Sequence, residues 1–206
     1  TFLQFRLRPG KVRTQQLLKL HNKGTGQTVF LLGTTHQYHY EDDDYSIWHV
    51  KAVVTGVGAE AVFIEMMADA VDAPNQERWG EGPVEMPFIA FAAKEAGIPV
   101  YGVDHGWDGG WRGRQDGMYA QVKAKLPQYK TALITSGFMH VSQFQRQLEE
   151  DGFVVVDWSD DDKRAVVDRA VEKTWPPGLE QSLVAAIARA RAGQMETDPE
   201  RQADMK

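Results

Sequence analysis

The 206-residue sequence contains no cysteine. Thiolate nucleophiles, disulfides and cysteine-ligated metal sites are therefore excluded from its chemistry. The absence leaves the cellular compartment open, because a chain without cysteine tolerates either redox environment.

Long apolar runs and an excess of positive charge are also missing. No stretch of about 18 consecutive apolar residues occurs, so we expect no membrane span. The 23 Lys and Arg residues are outnumbered by 29 Asp and Glu, and the net charge is -6. This balance argues against nucleic acid as a partner, because phosphate binding requires clustered cations. We expect a small molecule or a peptide as substrate, and the oligomeric state is left open.

The chain begins at Thr1 and shows no signal segment with a charged start and an apolar centre. We expect a soluble protein, either cytoplasmic or exported after removal of a leader, and the compartment is undecided. The composition, 42% hydrophobic and 25% charged, is that of a globular protein. The length fits one domain over 1–206, with its core over 14–193 and a polar tail over 194–206.

Short apolar runs between turn residues predict five strands, near 29–32, 62–65, 99–103, 131–135 and 153–157. Helical periodicity predicts four helices between them, near 45–58, 88–96, 114–126 and 141–150. The segment 14–21 and the first strand flank a turn at 23–26, which predicts a β-hairpin. These alternating elements predict an α/β domain with a mixed, mostly parallel central sheet flanked by helices.

Three further segments carry weaker signals. The proline- and glycine-containing segment 69–87 predicts a long loop over the strand ends. Ser159 or Asp160 is expected to cap a helix whose acidic first turn suits the helix dipole. Pro176, Pro177 and Gly178 are expected to separate this helix from a last one at 179–190.

Two Gly-x-x-His units, ending at His36 and His140, each follow an apolar strand. In α/β proteins ligands gather at the carboxyl ends of the parallel strands, which share one edge of the sheet. The repeat therefore predicts two imidazoles on one rim. The simpler alternative is that each histidine only ends a strand or begins a helix.

Carboxylates are expected at the ends of two further strands. Glu65 follows three apolar residues, so its carboxylate should be partly desolvated and should need a cation or hydrogen-bond donors. An internal ion pair with Arg or Lys is the structural alternative. Asp104 ends the strand at 99–104. Among the other histidines, His39 either joins the site or lies on a surface loop, while His21 and His49 are expected to be structural.

Four segments, in this order, resemble the TraB/GumN–TIKI superfamily, whose relatives include ChaN-like and erythromycin esterase-like proteins. They are the run ending Leu31–His36, the strand Val62–Glu65, the helix-opening segment Arg114–Ala120 and the segment Ser136–Val141. The resemblance covers most of 17–156. The chain departs from the family pattern in its short segment 69–87 and in the tryptophan that stands where an acidic residue is expected before Arg114.

The resemblance implies a metal-dependent, peptidase-like hydrolase of an amide or ester bond. His36, Glu65 and His140 would bind the divalent metal ion, and these three with Arg114 would be catalytic. Two imidazoles and a carboxylate suit a catalytic metal that keeps a position open for water. Arg114 would steady a substrate carboxylate or an oxyanion. Asp104 is expected to fix the tautomer of a site histidine.

ChaN-like relatives are associated with haem, so haem or ligand binding without hydrolysis is the alternative function. It is motivated by the aromatic residues and histidine near the expected site, which are Tyr38, His39, Tyr40, Trp107 and Trp111. Histidine or tyrosine can serve as an axial haem ligand. A third possibility is an interaction module without catalysis.

Overall fold

In the part of the chain that the structure describes, six strands form one mixed sheet in the order β4-β3-β5-β2-β1-β6. They are β1 (Leu17–Asn22), β2 (Gln27–Thr34), β3 (Ala61–Met67), β4 (Val100–Asp104), β5 (Thr131–Gly137) and β6 (Val154–Val155). The computed structural model describes residues 14, 16–40, 42–72, 83, 85–106, 109–175 and 179.

Four neighbouring strands of the sheet are parallel, and the pairings that β1 makes are antiparallel. Strands β2, β3, β4 and β5 pair in parallel, and β1 pairs antiparallel with β2. In the hairpin turn, Gly26 adopts φ 72°, which glycine reaches without steric cost. The Asn22 side chain accepts hydrogen bonds from the amides of Gly24 and Thr25. The predicted α/β fold, with a mostly parallel sheet and an N-terminal hairpin, is confirmed.

Helices cover both faces of this sheet. They are α1 (Ile47–Gly56), α2 (Ala68–Val71), α3 (Glu85–Glu95), α4 (Gly110–Lys125), α5 (Phe138–Glu150) and α6 (Asp160–Val167). Short 3-10 helices lie at His36–Tyr40, Asp43–Tyr45 and Leu126–Gln128. Ser159 caps α6 through its side chain, which accepts from the Asp162 amide.

Alternate residues of the central strands enter two separate apolar layers. Phe30 and Ile64 pack with α1 and α3, whereas Leu31 and Phe63 pack with α4 and α5. Successive side chains of a strand point to opposite faces, so strands covered on both faces need continuous apolar sequence. This requirement explains why the central strands could be predicted as unbroken apolar runs.

The strand predicted at 153–157 differs most from the structure. Only Val154 and Val155 form β6, which pairs antiparallel with β1 at the sheet edge, and both side chains are exposed. A short apolar run has the same appearance in a central strand and at an edge, where one face meets solvent. The expectation of a buried strand was wrong, although Phe153 beside it is buried.

At two places helices begin earlier in the structure than was expected. The segment 69–87 was expected to be a loop, but α2 occupies its start and α3 begins at Glu85. Helix α4 begins at Gly110, four residues before the expected start at Arg114. The last predicted helix lies outside the described residues except for Leu179, as does the tail. No helix in the described part of the chain is long and apolar enough to cross a membrane.

A prediction about the fold concerns Gly102, which lies where β4 meets an irregularity in β3. A Cβ at this position would lie 2.5 Å from the Met66 carbonyl oxygen and 2.8 Å from the Met67 carbonyl carbon. Because backbone cannot rotate away as a side chain can, we expect Gly102→Ala to lower the free energy of unfolding by about 1–3 kcal/mol. Urea denaturation measures this change.

Gly56→Ala in α1 is the matched control. There the nearest atoms lie at 3.5 Å, an ordinary contact distance, so we expect a change of about 1 kcal/mol or less. Equal urea midpoints for the two variants would contradict the backbone clash at Gly102.

Candidate active site

The parallel strands end at one edge of the sheet, and the expected site residues meet there. Thr34 of β2 pairs with Gly137 of β5, and Asp104 ends β4. His36 follows β2 after one residue, and His140 lies in the first turn of α5. Glu65 lies two residues before the end of β3 rather than at the end itself.

Glu65 is the carboxylate at the centre of this edge. Its Oε1 accepts from Arg114 Nη2 at 2.6 Å and lies 3.3 Å from His140 Nε2. Its Oε2 accepts from the Gly137 amide at 2.7 Å. The structure therefore contains the internal ion pair that was the structural alternative for this residue.

The charge of Glu65 is held by these contacts despite its burial. Burial alone would raise its pKa, but the hydrogen bond and charge of His140 and the guanidinium of Arg114 lower the pKa to about 2. The Gly137 amide acts in the same direction. Glu65 is therefore an anion throughout the neutral pH range.

Arg114 joins Glu65 to a second carboxylate on the neighbouring strand. Its Nε donates to Asp104 Oδ1 at 3.0 Å and its Nη2 to Asp104 Oδ2 at 2.7 Å. Its Nη1 lies 3.1 Å from His140 Nε2. Asp104 thus contacts the guanidinium and not an imidazole, so its expected role in fixing a histidine tautomer belongs to other residues.

Glu85 is the partner of His36, and sequence reasoning missed it. His36 Nδ1 lies 3.0 Å from Glu85 Oε1, which also accepts a hydrogen bond from the Thr34 hydroxyl. Glu85 is fully buried, and its Oε2 has no hydrogen-bond partner in the described part of the chain. In the sequence, Glu85 is a single carboxylate directly before the apolar residues 86–93. It was missed because the segment 69–87 was expected to be a loop.

The buried carboxylate sets the basicity of His36. Burial acts to lower the pKa of His36, but the charge and hydrogen bond of Glu85 outweigh it and raise the pKa. Burial likewise acts to raise the pKa of Glu85, and His36 reverses this effect and lowers it. His36 also has φ 54°, a left-handed conformation that is uncommon outside glycine and costs energy.

Gly137 keeps open the space between His36 and Glu65. A Cβ on Gly137 would lie 2.8 Å from His36 Nε2 and 3.5 Å from Glu65 Oε2. The side chain of His36 is 41% exposed although its Nδ1 edge faces buried Glu85. Glu65 and His140 are each 3% exposed, so His36 is the member of the cluster that solvent reaches most readily.

His140 is enclosed on the opposite side of Glu65. Its ring stacks on Trp111 with centroids 4.3 Å apart and an interplanar angle of 14°. Its Nδ1 lies 2.7 Å from Gln115 Oε1. Both site histidines therefore have Nδ1 against a buried acceptor and Nε2 turned towards the space around Glu65. Gln115 carried no signal in the sequence, because a glutamine on a helix is usually exposed.

The three expected metal ligands meet at this edge, but they do not fit a divalent ion as arranged. Arg114 lies within hydrogen-bond distance of Glu65 Oε1 and His140 Nε2, the atoms that would bind the ion. A guanidinium in that place repels a cation and occupies the lone pairs that coordination requires. Among the described residues, no group of three or more His, Asp or Glu side chains is arranged to hold a metal ion.

His39 is buried, with 1% exposure, so the alternative that placed it on a surface loop is wrong. Its Nε2 accepts from the Thr35 amide at 2.8 Å, and its Nδ1 donates to the Tyr45 carbonyl at 2.7 Å. Burial lowers its pKa, in agreement with a neutral ring. Because both ring nitrogens are engaged, His39 has none left to bind a metal or haem iron.

Of the aromatic residues behind the haem alternative, the two whose side chains the structure describes, Tyr40 and Trp111, lie apart. Tyr40 stacks on Trp175 beside a cleft of about 600 Å³ that includes neither Glu65 nor His140. Trp111 lies instead in α4, against His140. The side chain of Tyr38 and all of Trp107 lie outside the described residues. Among the described members of this set, His39 and Tyr40 line one cleft and Trp111 lies outside it.

A prediction from this geometry concerns acid stability. Because the pKa of Glu65 in the folded chain is about 2 and its ordinary value is 4.5, its charge stabilises the fold above pH 4.5. That contribution is lost as the pH falls towards 2. We expect the free energy of unfolding of Glu65→Gln to fall less than that of wild type between about pH 5 and about pH 3.

Urea denaturation at the two pH values measures the difference. Glu149→Gln, which changes an exposed carboxylate on α5, is the control and should follow wild type. An equal loss of stability in Glu65→Gln and wild type would contradict the stabilising role of the charge.

The chain was also compared with known proteins. No family model, no curated protein and no solved structure matches it. The resemblance to the TraB/GumN–TIKI superfamily therefore stays a prediction from its motifs.

Proposed function

We propose that this chain is a hydrolase of an amide or ester bond, with His36 as the base that activates water. The observation that carries the proposal is the pairing of His36 with Glu85. A half-exposed imidazole has one nitrogen on a fully buried carboxylate, and its other nitrogen faces the space beside Gly137. The order of the Gly-x-x-His, Glu and Arg segments supports the same class of reaction.

The base is prepared by its carboxylate partner. In neutral His36, the Nδ1–H donates a hydrogen bond to Glu85 Oε1, so the lone pair of Nε2 is available to accept a proton from water. The negative charge of Glu85 then stabilises the imidazolium that forms. General base catalysis of this kind accelerates a reaction by about 10²- to 10⁴-fold.

The buried group formed by Glu65, Arg114 and His140 supports this step electrostatically. Arg114 keeps the two carboxylates of β3 and β4 in place at the strand ends. In the proposed reaction its positive charge offsets the charges of Glu65 and Asp104, so negative charge that develops on a substrate carbonyl beside Gly137 is repelled less strongly. A fixed cation in a water-poor site stabilises an oxyanion more strongly than one in solvent.

A metal requirement stays a prediction of the resemblance and is no part of the steps above. Elemental analysis of the purified protein, with activity measured before and after chelation, tests it directly. Stoichiometric metal that is lost in both His140→Ala and Glu65→Gln would mean that the ion binds these side chains and that Arg114 leaves them when it does.

A first prediction of the proposal uses substitutions at the site. With 4-nitrophenyl esters and aminoacyl 4-nitroanilides as probes, we expect His36→Ala, His140→Ala and Glu65→Gln each to lower kcat/KM by about 10²-fold or more. His21→Ala is the control, since His21 pairs with Thr28 near the opposite end of β2. Wild-type activity in His36→Ala would overturn the assignment of the base.

A second prediction uses pH. His36 acts only when neutral, and Glu85 raises its pKa, so kcat/KM should rise through a midpoint above the ordinary histidine value of about 6.5. Glu85→Gln removes the charge that raises the pKa, and burial still acts to lower it. The midpoint should therefore move to lower pH in Glu85→Gln.

The matched control is Glu95→Gln, an exposed carboxylate on the same helix that pairs with Lys51. Its pH profile should coincide with that of wild type. A midpoint that does not move in Glu85→Gln would show that His36 is not the group titrating in the profile.

A further inference from the structure

We infer that Asp116, Gln147 and Gln115 form a directional hydrogen-bond chain that fixes His140 as its Nδ1–H tautomer. These three are positioning residues for the site. The inference rests on the proposed function only for its catalytic meaning, because the tautomer of His140 is a property of the folded chain without substrate.

The chain runs from the protein surface to the buried imidazole. Gln147 Nε2 donates to Asp116 Oδ1 at 2.9 Å, and Gln115 Nε2 donates to Gln147 Oε1 at 3.1 Å. Gln115 Oε1 then lies 2.7 Å from His140 Nδ1. Asp116 is exposed, whereas Gln115 and Gln147 are buried.

The carboxylate at the surface end determines the direction of every bond. A carboxylate only accepts, so Gln147 turns its amide NH₂ towards Asp116 and its oxygen towards Gln115. Gln115 must then donate to that oxygen and present its own oxygen to His140. A carbonyl oxygen cannot donate, so the proton of this last bond belongs to His140 Nδ1.

The reversed chain has a clear physical cost. If both glutamine amides were turned over, the Gln147 oxygen would face the Asp116 carboxylate, and two acceptors would meet without a proton between them. Gln115 would then present its NH₂ to His140, which would force the proton onto Nε2. The surface carboxylate thus selects between the two tautomers of a side chain that it does not touch.

On the other side of the ring, Nε2 faces one donor and one acceptor. Arg114 Nη1 can only donate, and at 3.1 Å it is the nearer of the two to His140 Nε2, so this contact favours an unprotonated Nε2 in the neutral ring. Glu65 Oε1 lies 3.3 Å from the same nitrogen. If Nε2 takes up a proton, Glu65 Oε1 is beside it as an acceptor. The Nδ1–H then keeps its hydrogen bond to Gln115 Oε1.

Burial explains why the arrangement needs a chain and not a single partner. Gln115 and Gln147 are 3% and 7% exposed, so an unpaired amide group on either would cost free energy. Each amide group uses its oxygen and its nitrogen within the chain. The stacked ring of Trp111 covers one face of His140. The chain conveys orientation and no proton, because an amide NH₂ keeps its hydrogens.

The test is the tautomer of His140 itself, measured in the protein without substrate. Histidine labelled with ¹⁵N and a long-range ¹H–¹⁵N spectrum distinguish protonated from unprotonated ring nitrogens, and His140→Ala identifies the signals. In wild type we expect Nδ1 to carry the proton. Gln115→Leu removes the acceptor and should lower the ratio of Nδ1–H to Nε2–H at least about fivefold, the equivalent of one hydrogen bond.

Three variants of matched design complete the test. Gln115→Glu keeps an acceptor at the same place and should retain the wild-type tautomer. Asp116→Asn, at an exposed position, permits both directions of the chain and should lower the ratio in the same sense as Gln115→Leu. Gln121→Leu, an exposed residue of the same helix, should leave the spectrum of His140 unchanged.

Two results would overturn the inference: a proton on Nε2 in wild type, or an unchanged ratio in both Gln115→Leu and Asp116→Asn. Neither result depends on catalysis. Loss of the proposed hydrolase activity with an intact tautomer pattern would remove the proposed function and leave the chain of hydrogen bonds established. Intact hydrolase activity with either of the two overturning results would remove only the inferred hydrogen-bond chain.

Discussion

The site depends on the ion pairs that the Arg114 guanidinium makes with two carboxylates. The guanidinium bonds to the buried Glu65 on β3 and to the partly buried Asp104 on β4, two carboxylates that would repel each other without it. Because Arg114 belongs to α4, the same contacts fix that helix against the strand ends. Removing one partner of such a group typically costs about 3–5 kcal/mol, so folding and the geometry of the site are coupled.

The two site histidines are orientated alike but have different electrostatic partners. The charge of Glu85 behind His36 stabilises an imidazolium, which suits a group that takes up a proton. The neutral amide of Gln115 behind His140 orients the ring while adding no full charge. Exposure follows the same division, since His36 is half-buried and His140 is buried. In the proposed reaction the two histidines therefore have different roles, His36 as the base and His140 as a supporting group.

Sequence patterns found the residues whose position follows from the end of a strand. His36, Glu65 and His140 were expected together because parallel strands present their carboxyl ends at one edge. Glu85 and Gln115 were not expected, although they bond directly to the two imidazoles. They reach the site from helices α3 and α4, and helical periodicity describes which face is apolar but not which polar side chain will meet a strand end.

The sequence by itself indicated the α/β architecture and the candidate cluster, because apolar runs, turn residues and the succession of strands and helices along the chain are local properties. Tertiary structure alone decided which groups share a hydrogen bond. The position of Arg114 between Glu65 and His140 depends on contacts between residues that are far apart in the chain. The selection of the His140 tautomer by Asp116 depends on such contacts as well. Such contacts are set by how helices pack on the sheet, and no spacing along the chain encodes them.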